Sequence, residues 1–167
     1  MKNQLEIRNI EVYKKITISF DAGRFSSAID KLPDSAGLYF VYRTYKGVDG
    51  KWKVNHDEAP IYIGKAEDSV RSRMKEHEND MDITLWINDC CNADDDLYIC
   101  TAPVDVEALT DVEAALIYHI QPKANVLNKE SYNGGNLHIV INDNYTYLKA
   151  ANKNFYQKKV KTYEIIY

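Results

Sequence analysis

The chain lacks a long hydrophobic stretch, a paired set of cysteines and an excess of positive charge. No apolar run approaches the ~20 residues that cross a bilayer, and the N-terminal residues contain no apolar segment of the signal-peptide kind. The 3 cysteines are odd in number, and no second pair stands at zinc-binding spacing. This argues against a disulfide framework and a structural zinc. We therefore expect a cytoplasmic protein that has no membrane contact.

The charge balance is acidic, because 25 Asp and Glu residues outnumber 21 Lys and Arg residues for a net charge of −4. Proteins that neutralise phosphates usually present a basic surface, so the balance alone argues against a nucleic-acid partner. The charges are segregated, however: bases gather at 65–75 and at 149–161, and acids gather at 78–113. One basic face on an acidic chain is compatible with DNA binding, and scattered solvated charge is the alternative.

The chain of 167 residues is long enough for one domain with a substantial core. Runs of β-branched and aromatic residues predict strands, and apolar residues at helical spacing predict helices. The predicted fold class is α/β (α+β), with a small, mostly antiparallel three-stranded sheet flanked by helices in the order β-β-α-α-β-α and extra strands at both termini. The predicted strands are 16–20, 37–45, 59–64, 96–101, 137–141, 145–148 and 159–167, and the predicted helices are 25–32, 67–79, 81–91 and 105–121.

Arg73 and His77 are four residues apart on a predicted helix, so they project side by side along the border of its apolar face. Arg71 points away from His77. The plain alternative is that Arg73 and His77 form an exposed pair on a solvated helix face.

Glu113 lies within the apolar arc of the last predicted helix. An ionised carboxylate that faces a core requires a cation or several hydrogen-bond donors to replace its lost hydration. A structural salt bridge and a divalent metal such as Mg²⁺ both meet that requirement, and the helix alone does not decide between them.

Tyr39 and Tyr62 lie on strands that are expected to pair. Two neighbouring phenols can pass a proton if a metal or another cation lowers the pKa of one of them, whereas simple packing against a helix is the alternative. Gly64 permits close backbone approach, and Lys65 can meet a phosphate. Together, two phenols, a guanidinium, an imidazole and one carboxylate are the groups that metal-assisted phosphodiester cleavage needs.

Three stretches in combination resemble the GIY-YIG nuclease superfamily, namely LPDSAGLYFVY, PIYIGKAEDSVRSRM and EAALIYHIQPKANVLNKES. They are most similar to the N-terminal catalytic domain of the bacterial nucleotide-excision-repair incision protein, although that branch usually lacks an equivalent of His77. The resemblance covers about residues 32–131. It divides the chain into an N-terminal extension of a strand and a short helix (1–31), a nuclease domain (32–131) and a C-terminal β extension packed on the same domain (132–167).

The resemblance implies a role for each matching residue. The implied catalytic residues are Tyr39, Tyr62, Arg73, His77 and Glu113, and the implied substrate-binding residues are Gly64, Lys65, Arg71 and Asn125. Glu113 is implied to hold one Mg²⁺ or Mn²⁺ ion. One extra residue after the second tyrosine motif makes Arg71 and Arg73 rivals for the catalytic arginine. We prefer Arg73, because RMKEH repeats the Arg-x-x-x-His helix of other branches.

The function that the resemblance implies is metal-dependent hydrolysis of DNA by an endonuclease, which leaves 5′-phosphate and 3′-hydroxyl ends. Such an enzyme acts in DNA repair, restriction or mobile elements, as a monomer or a homodimer. Two alternatives stay open. One is a catalytically inactive GIY-YIG-like module that binds nucleic acid or protein, and the other is an unrelated α/β domain in which Glu113 is paired to a base.

Overall fold

A computed structural model describes most of the chain, as eight strands and three helices. The described residues are 7–18, 29–50, 52–54, 60–92, 95–133, 138–143, 156–158 and 162–166. The strands are β1 (Ile7–Ile18), β2 (Gly37–Lys46), β3 (Trp52–Val54), β4 (Tyr62–Ala66), β5 (Asp96–Ala102), β6 (His138–Asp143), β7 (Tyr156–Lys158) and β8 (Thr162–Ile166). The helices are α1 (Val70–Asn79), α2 (Asp82–Cys90) and α3 (Val106–Ile120).

Strand β2 is the centre of the part of the sheet that carries the predicted site. One of its edges pairs antiparallel with β4 and, further along, with β3, so the return strand of this hairpin is split in two. Its other edge pairs antiparallel with β5. The three antiparallel strands β4, β2 and β5, together with the three helices, give the α+β class that the sequence predicts.

Strand β1 extends this sheet towards the C-terminal strands. Its second half pairs antiparallel with β5, and its first half pairs in parallel with β6. Strand β8 then pairs antiparallel with both β6 and β7. The strand predicted at 145–148 as the hairpin partner of β6 lies outside the described residues, and the antiparallel neighbour of β6 is β8.

The side chains of β2 alternate between two buried layers, as the two-residue period of a strand requires. Leu38, Phe40 and Tyr42 belong to a core cluster with the apolar face of α3. Tyr39 and Val41 belong to a second cluster with residues of α1 and α2. The sheet therefore separates α3 from α1 and α2, and residues from the two helical layers can meet only around a sheet edge.

Several element boundaries differ from the predicted ones. Strand β1 begins at Ile7 rather than at residue 16, because its first half pairs in parallel with β6. The sequence did not predict this half, since it contains charged residues and shows no clear apolar alternation. Helix α1 begins at Val70 rather than at residue 67, because the Ser69 side chain accepts a hydrogen bond from the N–H of Ser72 and caps the helix there. Of the helix predicted at 25–32, the residues before Ile29 lie outside the described part.

Among the described residues, no helix combines the length and the apolar composition that crossing a membrane requires.

Candidate active site at the edge of the sheet

A cleft of about 390 Å³ opens beside strand β4 and receives side chains from four elements. Tyr39 reaches it from β2, Tyr62 and Lys65 from β4, Arg73 from α1 and Glu113 from α3. These residues are distant in sequence. The structure therefore brings four of the five predicted catalytic side chains, and the predicted phosphate-binding lysine, to one concave surface.

Gly64 makes room for the first tyrosine. Tyr39 and Gly64 are cross-strand partners of β2 and β4, and the phenol lies directly over the glycine. A Cβ atom on Gly64 would lie 2.2 Å from Tyr39 Oη and 2.3 Å from Tyr39 Cζ. Glycine is required here for space, because any larger residue would push the phenol away from its position at the cleft.

Tyr39 is hydrogen-bonded to the predicted histidine beneath the cleft. The distance from Tyr39 Oη to His77 Nε2 is 2.6 Å, and His77 Nδ1 lies 2.8 Å from Asp82 Oδ2. Tyr39 is 1% exposed and His77 is 2% exposed. Since an ionised carboxylate only accepts hydrogen bonds, Nδ1 carries the imidazole hydrogen and Nε2 accepts from the phenol.

Burial favours the uncharged forms of both Tyr39 and His77. It lowers the pKa of His77 below its ordinary value, and the neighbouring Asp82 carboxylate opposes that shift. Burial also raises the pKa of Tyr39 well above 10, although the Arg73 guanidinium acts in the opposite direction. The expectation that a cation lowers the pKa of a phenol therefore holds for the direction of the Arg73 effect, but burial outweighs it.

Tyr62 is oriented by an aromatic stack. Its ring centroid lies 4.6 Å from that of Trp86, with the planes 27° apart, and 6.1 Å from that of Tyr39. Burial is the largest cause that raises the pKa of the Tyr62 phenol, and Glu113 adds to the rise. Trp86, which is on α2, was not among the predicted site residues, because an apolar residue in a helix usually indicates only core packing.

Glu113 is a half-buried carboxylate in the cleft wall. Burial raises its pKa to about 6, while the ammonium and the backbone N–H of Lys65 and then the Arg73 guanidinium act to lower it. Both cations are already engaged, because Lys65 Nζ lies 2.7 Å from Glu67 Oε1 and Arg73 is ion-paired with Glu76. The nearby positive charge therefore only partly offsets the burial of Glu113.

A hard divalent cation fits this setting. Mg²⁺ takes oxygen ligands and keeps several of its waters, so one carboxylate in a cleft with space for roughly ten waters is a suitable donor set. Within the described part of the chain, no three His, Cys, Asp or Glu side chains gather into a multi-ligand metal site. Glu113 is the residue that would hold such an ion.

Arg71 is placed away from the cleft. Its Nε donates to the carbonyl of Leu32 at 3.0 Å, and its Nη1 lies 3.7 Å from Asp34 Oδ2. Arg71 thus ties α1 to the segment before β2. Of the two rival arginines, Arg73 is the one that lies with the tyrosines and Glu113.

Asn125 also has its polar atoms directed away from the cleft. It is 8% exposed. Its Oδ1 accepts from the Ile63 N–H at 2.9 Å, and its Nδ2 donates to the Ile63 carbonyl at 2.8 Å. One residue earlier, the Ala124 N–H donates to the carbonyl of Ile61. The loop after α3 therefore supplies hydrogen-bond partners to backbone groups along the outer edge of β4. In this way Asn125 supports the strand that carries Tyr62 and Lys65.

In comparisons with known proteins, no family model has a match to this chain, and no curated protein or solved structure gives a significant match. The geometry of the cleft is therefore the basis for assigning a function.

Proposed function

We propose that this protein is a metal-dependent DNA endonuclease of the GIY-YIG type. The observation that carries the proposal is the convergence of Tyr39, Tyr62, Arg73 and Glu113 on one cleft, with Tyr39 hydrogen-bonded to His77. The groups needed to bind a phosphodiester, offset its charge and move a proton stand together there. A structural role for Glu113 alone would not require the phenols and the guanidinium beside it.

The cations of the cleft suit a phosphate. Arg73 presents a planar guanidinium that pairs with phosphate oxygens, and Lys65 adds a point charge on the neighbouring strand. Each is paired with an exposed carboxylate, Glu76 and Glu67 respectively. A DNA phosphate would exchange with these carboxylates. Because phosphate contacts by Arg73 and Lys65 release condensed counterions from the DNA, binding should weaken as salt increases.

The proton pathway follows from the hydrogen bonds. As water attacks phosphorus, its proton passes to Tyr39 Oη, and the original phenol proton passes to His77 Nε2. The bond between phosphorus and the 3′-oxygen breaks, and that oxygen takes a proton from solvent, leaving 5′-phosphate and 3′-hydroxyl ends. Because burial raises the pKa of Tyr39, simultaneous transfer avoids a free phenolate. Arg73 offsets the charge that develops on the phosphoryl oxygens.

Glu113 would hold one Mg²⁺ or Mn²⁺ ion. When bound, such an ion supplies Lewis-acid polarisation of the phosphoryl oxygen.

The two arginines provide a matched test, because they lie on the same helix with only one of them in the cleft. In a plasmid-nicking assay with Mg²⁺, Mn²⁺ or chelator, Arg73→Ala is expected to reduce the rate by about a hundredfold or more. Arg71→Ala should retain the wild-type nicking rate at temperatures where the variant is folded. This substitution should lower only the stability of the fold. Equal effects of the two substitutions on the rate would contradict the assignment.

The acidic balance of the chain favours one alternative function, a GIY-YIG-like binding module without catalysis. This alternative predicts a DNA gel shift with no nicking under any metal condition. Cleavage of a defined set of duplex, branched and single-stranded substrates, with the product ends mapped, separates the two functions. The same experiment distinguishes a structure-specific repair enzyme from a sequence-specific restriction enzyme.

A further inference from the structure

We propose that Asp82 is a positioning residue that fixes His77 with its hydrogen on Nδ1 and so leaves Nε2 to accept the proton of Tyr39. Its effect on cleavage rests on the nuclease function proposed above. The tautomer of His77 can be measured without any activity.

Two successive hydrogen bonds through His77 connect three secondary-structure elements. Tyr39 from β2 contacts His77 from α1 at 2.6 Å, and His77 contacts Asp82 from the start of α2 at 2.8 Å. The imidazole is buried on both sides, whereas the Asp82 side chain is 42% exposed. The carboxylate can therefore remain hydrated while it holds a buried ring.

The turn between the two helices brings Asp82 back to His77. Met81 adopts a left-handed conformation with φ of 63°, which is unfavourable for a residue with a side chain. This reversal places the first residue of α2 against the last turn of α1. The reversal therefore brings the Asp82 carboxylate within hydrogen-bond distance of His77 Nδ1.

The chemical consequence concerns where one proton can go. Transfer from Tyr39 breaks the phenol O–H bond, forms an N–H bond at Nε2 and leaves His77 as an imidazolium. Asp82 holds that cation through the Nδ1–H bond. Without Asp82, part of the His77 population would carry its hydrogen on Nε2. In that tautomer, Nε2 cannot accept the proton of Tyr39.

Other titratable groups face His77 as well. Arg73 and Glu76 face it from α1, and Tyr39 and Tyr62 face it from the two strands. These groups are unchanged by a substitution at position 82. Because Asp82 acts to raise the pKa of His77, its removal should lower that pKa further.

The test compares Asp82→Ala with Asp80→Ala, since Asp80 is an exposed acid two residues earlier. Ring-nitrogen NMR of the full chain should show His77 with its hydrogen on Nδ1 in the wild type and in Asp80→Ala. Asp82→Ala should show a mixture of tautomers and a lower His77 pKa. With plasmid DNA, Asp82→Ala should lower kcat by about a hundredfold with little change in KM, and the acid limb of the rate profile should move to lower pH.

Three results would overturn the proposal: a wild-type His77 with its hydrogen on Nε2, an Asp82→Ala variant with unchanged NMR and kcat, or a fall in melting temperature with no shift of the acid limb. If the wild type shows the expected tautomer and Asp82→Ala alters it, but the wild type nicks no DNA, the nuclease proposal fails. The positioning of His77 by Asp82 then still stands.

Discussion

Replacing Glu113 with Gln is expected to make the metal-free protein more stable while abolishing its proposed cleavage activity. Glutamine keeps the shape of glutamate and can still accept a hydrogen bond from the Lys65 N–H, but it carries no charge. The substitution thus removes the energetic cost of an ionised carboxylate in a half-buried position. Such a gain is the expected signature of a group retained for function rather than for folding.

The magnitude follows from the pKa of Glu113. Its rise from 4.5 to about 6 through burial corresponds to about 2 kcal/mol. Because the carboxylate borders the cleft and is partly screened by solvent, we expect a gain of about 1–2 kcal/mol for Glu113→Gln near neutral pH.

The sign of the pH dependence is determined by the direction of the shift. A carboxyl group whose pKa is raised by folding takes up a proton more readily in the folded state than in the unfolded state. The cost of ionising Glu113 is therefore complete above about pH 6, declines between 6 and 4.5, and is absent at lower pH. The stability difference between variant and wild type should follow the same course, and contributions such as that of His77 cancel in this difference.

Urea unfolding in the presence of chelator, at several pH values, measures the difference directly. Glu107→Gln is the control, because Glu107 is exposed on the same helix. Mg²⁺ should raise the urea midpoint of the wild type and leave that of Glu113→Gln unchanged. A Glu113→Gln variant that is destabilised near neutral pH would refute the reasoning, because it would show that Glu113 has a stabilising partner. Undiminished nicking by this variant would refute the site assignment.

Three further substitutions test the parts of the cleft. Tyr39→Phe removes the hydroxyl that contacts His77 and should lower single-turnover nicking by about a hundredfold or more, with the circular dichroism spectrum unchanged. Gly64→Ala should destabilise the fold by about 2–4 kcal/mol in urea unfolding, because the new methyl group overlaps the Tyr39 ring and breaks its buried hydrogen bond. Asn125→Ala should cost about 2–4 kcal/mol in the same assay, because it leaves two backbone groups of Ile63 unpaired.

Gly50→Ala is the matched control for Gly64→Ala. Gly50 has no atom within 4 Å of an added Cβ, so Gly50→Ala should lose only the backbone preference of a residue with φ of 73° and should keep full activity. A Gly64→Ala variant with normal stability and activity would contradict the packing of Tyr39. If Asn125→Ala changed KM without loss of stability, Asn125 would be a substrate contact after all.

The elements that local sequence specifies were predicted with small errors. Strand β2 ends one residue later than predicted, and helices α2 and α3 begin and end within one residue of the predicted bounds. Their apolar periods are strong, and pairs such as Arg73 and His77 follow from helix geometry alone. The boundaries of β1 and β4 were less accurate, because strand ends depend on partners that are distant in the chain.

Residue types and their spacing along the chain were enough to identify the unusual residues: an acid within an apolar helix face, an arginine and a histidine one helical turn apart, and tyrosines on two adjacent strands. How these residues are used became apparent only from the packing of the elements. It placed Arg73 rather than Arg71 in the cleft, turned Asn125 onto the edge of β4 and brought Asp82 to His77. The reason is physical, since helix and strand periods repeat over a few residues, whereas contacts between elements depend on register, turn geometry and the closing of the core.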